Sequence, residues 1–282
     1  MLCLFVTDLH GRVDRYEKLF DAIESESPRA VFIGGDLLPH YAWPGEAPQE
    51  FLGEFVAVRL AEIRNRMKKR YPDLFVILGN DDERAEEHAV EEISARNLWN
   101  YAHGRRFDLG RWVVYGYSYV PPSPFLRKDW EKYDVSRYVP PGSVSPEEGR
   151  RSVPVDLREI RYATIEADLR DLAGDDDLGN AVFLFHTPPQ DTKLDRAAMD
   201  GKMVDHVPLD LHVGSIAVRR FIEDRQPYLT LHGHIHESTR LTGSWRDRMG
   251  RTHMFSAAHD GPELALVRFD MVDPDGAERV LL

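Results

Sequence analysis

The chain is nearly devoid of cysteine. Its one thiol, Cys3, excludes an intramolecular disulfide, and its place in the apolar run Leu2-Cys3-Leu4-Phe5-Val6 reads as a small core residue. Apolar runs are all short, and none approaches the length of a membrane span. Positive charge is also in deficit, with 36 Lys and Arg against 48 Asp and Glu and a formal net charge of −12. A protein that grips long nucleic acid needs many cations facing phosphates, so this balance argues against that class. It leaves room for a small phosphorylated substrate, because bound metal cations can reverse a local field. No charged region with a long apolar segment and cleavage site stands at the N-terminus, where a strand pattern starts at once, and the expectation is a cytoplasmic protein.

What is present is a frame of five buried-strand patterns: Leu2–Thr7, Ala30–Ile33, Leu74–Leu78, Ala181–Phe185 and Tyr228–Leu231. Helical spacing lies between them, at Val13, Tyr16, Phe20 and Ile23, and again over Phe51–Met67. Further helices are expected after Asp82 as N-cap, from Asp156 with Glu159 in capping-box position, and from Gly214-Ser215 to about Arg225. Trp112–Tyr117, Thr252–Ala257 and Leu264–Phe269 read as added strands, the last two separated by the turn cluster His259-Asp260-Gly261-Pro262. Strand–helix alternation with these additions predicts an α/β fold of two packed sheets. The whole of 1–282 reads as a single domain with a proline-rich insertion at about 118–155, and a second long connection runs over 187–213.

Each of the five runs ends in residues that carry chemistry. They are followed by Asp8-Leu9-His10, Gly34-Gly35-Asp36, Gly79-Asn80-Asp81-Asp82, His186, and His232-Gly233-His234-Ile235-His236. Ligands collect at the carboxyl ends of strands in layered α/β folds, so five such ends would build one cluster. Imidazole and carboxylate groups suit Mn, Fe, Zn, Co or Ni. The adjacent glycines let the backbone turn sharply there. An Asp placed between two ions can bridge them, and paired ions roughly 3.5–4 Å apart can activate water for displacement at phosphorus.

Taken in order, these motifs resemble those of the calcineurin-like metallophosphoesterases: Asp-x-His, Gly-Asp, Gly-Asn-His, a lone His and Gly-His-x-His. The match runs from residue 8 to 236, and His186-Thr187-Pro188-Pro189 and Leu231–Ser238 are similar to a branch related to Icc-type phosphodiesterases. The resemblance implies a four-layer αββα sandwich of two mixed β-sheets flanked by helices. It implies two divalent transition metal ions, manganese foremost, with Fe, Zn, Co or Ni as alternatives. Asp8, His10, Asp36 and His236 would hold one ion, and Asp36, Asn80, His186 and His234 the other. A water or hydroxide between the ions would be the nucleophile.

The chain departs from that pattern at Asp81, where many members have a His that serves the leaving group. An Asp of ordinary pKa is ionised at neutral pH and is a poor acid, which favours a diester with a good leaving group over a monoester. Asp81, His212 and His232 are the candidates for the remaining catalytic work. His232 also reads as a buried residue orienting a ligand, and His212 precedes a helix start able to accept a phosphate oxygen. Tyr117, Tyr119, Phe125 and Trp130 would stack on a nucleobase or pack the insertion. The expected partner is a small phosphate ester. A monoesterase or nuclease of the same fold is the alternative, and a non-catalytic protein-binding scaffold, the role of the family's retromer subunit, is an alternative of another class.

Overall fold

Alternate side chains of the buried runs enter two different cores, which is why each run is apolar throughout. Residues 1–39 and 51–282 are described in a computed structural model of the chain. The elements in chain order are β1 (Leu2–Val6), α1 (Val13–Glu26), β2 (Ala30–Gly34), α2 (Ala57–Met67, entered through a π-helical turn at Phe51–Val56), β3 (Asp73–Ile77), α3 (Glu87–Ala95), β4 (Asn100–Tyr101), β5 (Arg106–Leu109) and β6 (Trp112–Tyr117). There follow α4 (Leu157–Tyr162), α5 (Ile165–Ala173), β7 (Ala181–Phe185), β8 (Met203–Val204), β9 (Val207–Pro208), α6 (Ile216–Arg225), β10 (Leu229–His232), α7 (Ser238–Thr242), β11 (Arg246–Met249), β12 (Thr252–Ser256), β13 (Ala265–Asp270) and β14 (Asp273–Leu281).

The described residues form two six-stranded mixed sheets, in the orders β14-β13-β1-β2-β3-β4 and β11-β12-β10-β7-β6-β5. In the first sheet β1 through β4 are parallel, β13 pairs antiparallel with β1 and β14 pairs antiparallel with β13; in the second, β6, β7, β10 and β12 are parallel, with antiparallel edges β5 and β11. Cys3, Phe5, Phe32, Phe75, Val182, Leu184, Leu231, Phe255 and Phe269 fill the space between the sheets. Phe255 of one sheet meets Phe269 of the other with ring centroids 5.8 Å apart. The intervening residues Leu4, Val6, Val31, Phe183 and Phe185 face outward against the helices, where Tyr16, Leu19 and Ile23 of α1 and Phe221 of α6 pack on them. The expected α/β sandwich of two mixed sheets flanked by helices is therefore the observed fold.

The local expectations need one correction and gain two details. Asp82 does not cap α3, which begins only after a 3-10 turn at Arg84–Glu86. A helix starts at Asp156 as expected, with Asp156 accepting from Arg158 N at 2.6 Å, and after a break at Ala163-Thr164 a second helix follows, with Thr164 accepting from Ala167 N at 3.2 Å. The turn cluster after β12 leads from one sheet to the other, since β12 and β13 belong to different sheets. Strands β4, β5, β8, β9, β11 and β14 carried no readable apolar pattern; β14 begins Asp-Pro-Asp-Gly and lies at a sheet edge.

The proline-rich insertion has no long strand or helix before Asp156. It is ordered by isolated bridges at Val120–Glu131, Arg127–Arg150 and Tyr133–Thr164 and by the fully buried Trp130. A buried ion pair joins Lys128 to Glu131, whose carboxylate also takes the Ser123 N–H at 2.8 Å and hydroxyl at 2.6 Å. Tyr117, Tyr119 and Trp130 are buried and pack the fold, while Phe125 is exposed. Among the described residues no helix is long and apolar enough to cross a membrane.

Candidate metal centre

Parallel strands β1, β2, β3, β7 and β10 end at one edge, and the turns that follow carry the chemistry-bearing residues. Those turns are sharp enough to drive non-glycine residues into left-handed backbone: φ is 55° at Asp8, 48° at His10, 51° at Asp36 and 72° at His234. Such conformations cost roughly 1–3 kcal/mol each and gather where a site dictates side-chain direction. Single donor atoms from Asp8, His10, Asp36 and His236 all lie within 4.8 Å of one another.

A second set adjoins the first through Asp36. His186 Nε2 lies 3.3 Å from Asp36 Oδ2 and 3.0 Å from Asn80 Oδ1. Its Nδ1 is 2.8 Å from the Gly34 carbonyl, which fixes the ring and turns Nε2 toward the cluster. The His234 ring is 5.2 Å from that of His186, and its backbone N–H donates to the Asp8 carboxylate at 3.2 Å. On the first side, His10 Nε2 and His236 Nε2 are 3.2 Å apart and His236 Nε2 is 3.5 Å from Asp8 Oδ1. All seven residues read as ligands thus converge, although they are spread from residue 8 to 236.

The close approach depends on glycine. A Cβ on Gly79 would sit 2.2 Å from Asp36 Oδ1, one on Gly35 2.7 Å from His186 Nδ1, and one on Gly233 2.2 Å from Thr7 Oγ1. The loops after β2 and β3 are further tied by Asp82, which is fully buried. Its carboxylate accepts the N–H groups of Leu37 at 2.9 Å, Leu38 at 2.8 Å and Gly79 at 2.8 Å. No sequence signal separates this use of Asp82 from a helix cap.

The electrostatics of the cluster call for positive charge. Burial alone would push the His186 pKa down, but the Asp36 and Asp8 carboxylates outweigh it and raise it to about 10. His236, likewise opposed by burial, is raised to about 9 by Asp8. Asp36 is held well below the usual carboxylate range by His186 and His10 against its burial, and Asp8 is lowered by His236 in the same way. Burial and the neighbouring His186 bring His234 down to about 4, leaving a neutral imidazole suited to ligation. The donor chemistry, the strained turns and the field all fit divalent cations.

A profile of calcineurin-like phosphoesterases matches residues 1–238. The chain belongs to that family. Members use divalent metal ions, in keeping with the cluster of Asp8, His10, Asp36 and His236. A comparison with curated proteins finds none that matches. One crystal structure aligns over 99% of this chain and 98% of its own at TM-score 0.61 and 16% identity. The protein TT1561 of Thermus thermophilus does so over 99% and 98% at TM-score 0.57 and 16% identity. A novel archaeal phosphodiesterase covers 100% of both chains at a TM-score of 0.42 and 8% identity.

The three further catalytic candidates fall in different places. Asp81 lies at the cluster: its N–H donates to Asp36 Oδ1 at 2.9 Å, and its carboxylate is 3.9 Å from His10 Nδ1. His232 does not face the site. It is fully buried, with Nδ1 2.9 Å from the Thr187 carbonyl and Nε2 2.7 Å from Thr230 Oγ1, and burial lowers its pKa to about 4. His212 pairs with the buried Asp195 at 2.7 Å and lines a separate cavity of about 450 Å³ with Asp191, Asp210 and Arg219, none of them a candidate ligand. The helix start after it is already filled, because Asp134 accepts from Ser215 Oγ, Ile216 N and Ala217 N. Arg12 pairs with its neighbour Asp14 at 3.0 Å. Sequence reasoning passed over Arg15, a buried guanidinium that donates to the Asp8 carbonyl at 2.6 Å and the Gly261 carbonyl at 2.7 Å, and so braces the strained turn.

Proposed function

We propose that the protein hydrolyses small phosphodiesters with a pair of divalent metal ions. The observation that carries this reading is the convergence of two donor sets on one carboxylate: Asp36 belongs to the cluster with Asp8, His10 and His236 and also stands 3.3 Å from His186, which adjoins Asn80. Asp8, His10 and His236 would hold one ion, Asn80, His186 and His234 the other, and Asp36 both. When bound, such a pair lowers the pKa of water and stabilises charge at phosphorus. Gly34 orients the His186 ring, Arg15 braces Asp8, and Asp82 holds the Asp36 and Asn80 turns together. Asp81 stands at the cluster edge where many family members have a His, which favours esters whose alcohol leaves without a proton donor.

The test is hydrolysis of bis-p-nitrophenyl phosphate against p-nitrophenyl phosphate with added Mn²⁺, alongside metal content. Two bound ions per chain and a faster diester reaction are expected, with Asp36→Ala losing both. Protein that binds no metal and cleaves neither ester overturns the reading; a faster monoester reaction overturns its diester part.

A further inference from the structure

The insertion places a guanidinium beside the candidate metal centre and carries an exposed ring two positions along the chain. Arg127 donates through Nη1 to the Asp81 carbonyl and through Nη2 to Glu83 Oε1 at 3.1 Å. Asp81 is the residue whose N–H donates to Asp36 and whose carboxylate approaches His10. Arg127 therefore sits one residue from the cluster while over a third of its side chain remains exposed. Two positions earlier, Phe125 is 58% exposed, and Leu126 beside it is 54% exposed. The base of this segment is fixed: Arg150 N donates to the Leu126 carbonyl at 2.7 Å, Lys128 N donates to the Arg150 carbonyl at 2.8 Å, and Ala85 N donates to Ser152 Oγ at 2.9 Å. Ordering an exposed aromatic and an arginine on a rigid platform costs a ligand little conformational entropy.

We propose that Phe125 and Arg127 form the substrate-contacting rim of the metal centre, and that the substrate is a phosphodiester carrying a planar aromatic arm. This rests on the phosphodiesterase reading above. Arg127 holds a non-bridging phosphoryl oxygen by the forked geometry that guanidinium offers to phosphate. Its half-exposed pairing with Glu83 is weak enough to yield to a phosphoryl group. Phe125 supplies the face on which the arm stacks. Tyr117, Tyr119 and Trp130 are buried and take no part.

The experiment uses the manganese-loaded full chain, with diphenyl phosphate and diethyl phosphate as competitive inhibitors of bis-p-nitrophenyl phosphate hydrolysis. Wild type is expected to bind diphenyl phosphate more tightly than diethyl phosphate, and Phe125→Ala to erase that difference. Arg127→Met is expected to raise both inhibition constants and KM about 10-fold to 100-fold, with kcat and manganese affinity within about 3-fold of wild type and partial rescue by Arg127→Lys. Unchanged inhibition constants in Arg127→Met, or a loss confined to kcat and manganese affinity, would make Arg127 a structural latch on Asp81 and overturn its role. An unchanged diphenyl preference in Phe125→Ala, or none in wild type, overturns the aromatic arm. If wild type cleaves no diester, the reading of function fails by itself, and calorimetric titration of diphenyl phosphate still decides the rim.

Discussion

Gly79 and Asp36 are so close that a methyl group on the glycine would fall 2.2 Å from the Asp36 carboxylate, and 2.6 Å from Cε1 of His186. Gly79→Ala must therefore displace the carboxylate shared by both donor sets. The expected outcome is a loss of about 100-fold or more in kcat/KM and weakened manganese binding, with the far-ultraviolet circular dichroism of wild type retained. Titration calorimetry with Mn²⁺ and steady-state kinetics check it.

His186 and Asp36 should differ in what their removal costs. His186→Ala is expected to retain one metal ion of the proposed pair, because Asp8, His10, Asp36 and His236 still converge without it. Asp36→Ala should retain neither. Metal analysis after equilibrium dialysis distinguishes the two, and equal stoichiometry in both variants would contradict the shared-carboxylate arrangement.

Removing the Asp82 carboxylate leaves the buried N–H groups of Leu37, Leu38 and Gly79 without their acceptor. Asp82→Ala should cost about 3 kcal/mol or more, read as a lower midpoint in urea. Asp82→Asn, which keeps one accepting oxygen, should cost less.

Glu147 fastens the insertion through Arg161 at 2.9 Å, Arg137 at 2.5 Å and Tyr133 at 2.9 Å. These partners, Arg161 foremost, bring its carboxyl down from the ordinary 4.5 to about 2. A lowered carboxyl stabilises the fold fully above its unfolded pKa and loses that contribution as pH falls through the folded one. The stability gap between wild type and Glu147→Gln should therefore be constant above about pH 4.5 and close toward pH 2. Denaturant titrations across that range check it; a gap that widens on acidification would reverse the sign.

Cys3 is fully buried, and burial pushes its thiol up to about 12. It should resist Ellman's reagent in the native protein and react at once in guanidinium chloride.

The two-sheet frame and the cluster of donor residues were legible for the same reason. Strands buried on both faces have no polar positions to blur their apolar runs, so each run stops abruptly where Asp8, Asp36, Asn80, His186 and His234 begin. Edge strands lack that contrast: β11 alternates Arg246, Asp247, Arg248 and Met249 and pairs with β12 on one side, so its sequence reads as surface. Isolated titratable residues were the least legible. His232 follows an apolar run just as His186 does, yet its ring nitrogens meet Thr187 and Thr230 inside the core, whereas those of His186 meet Gly34 and the cluster.

By itself the sequence determined the α/β class, the order of the main strands and the residue types delivered at their carboxyl ends, because apolar periodicity and strand termini are local properties of the chain. Tertiary structure alone decided that Asp36 would be shared between two donor sets, that Asp82 would bind loops rather than cap a helix, and that Arg127 would reach the Asp81 carbonyl while Trp130 vanished into the core. Those assignments depend on which segments distant in the chain come to lie against one another, and burial, hydrogen-bond partners and electric field are properties of that juxtaposition.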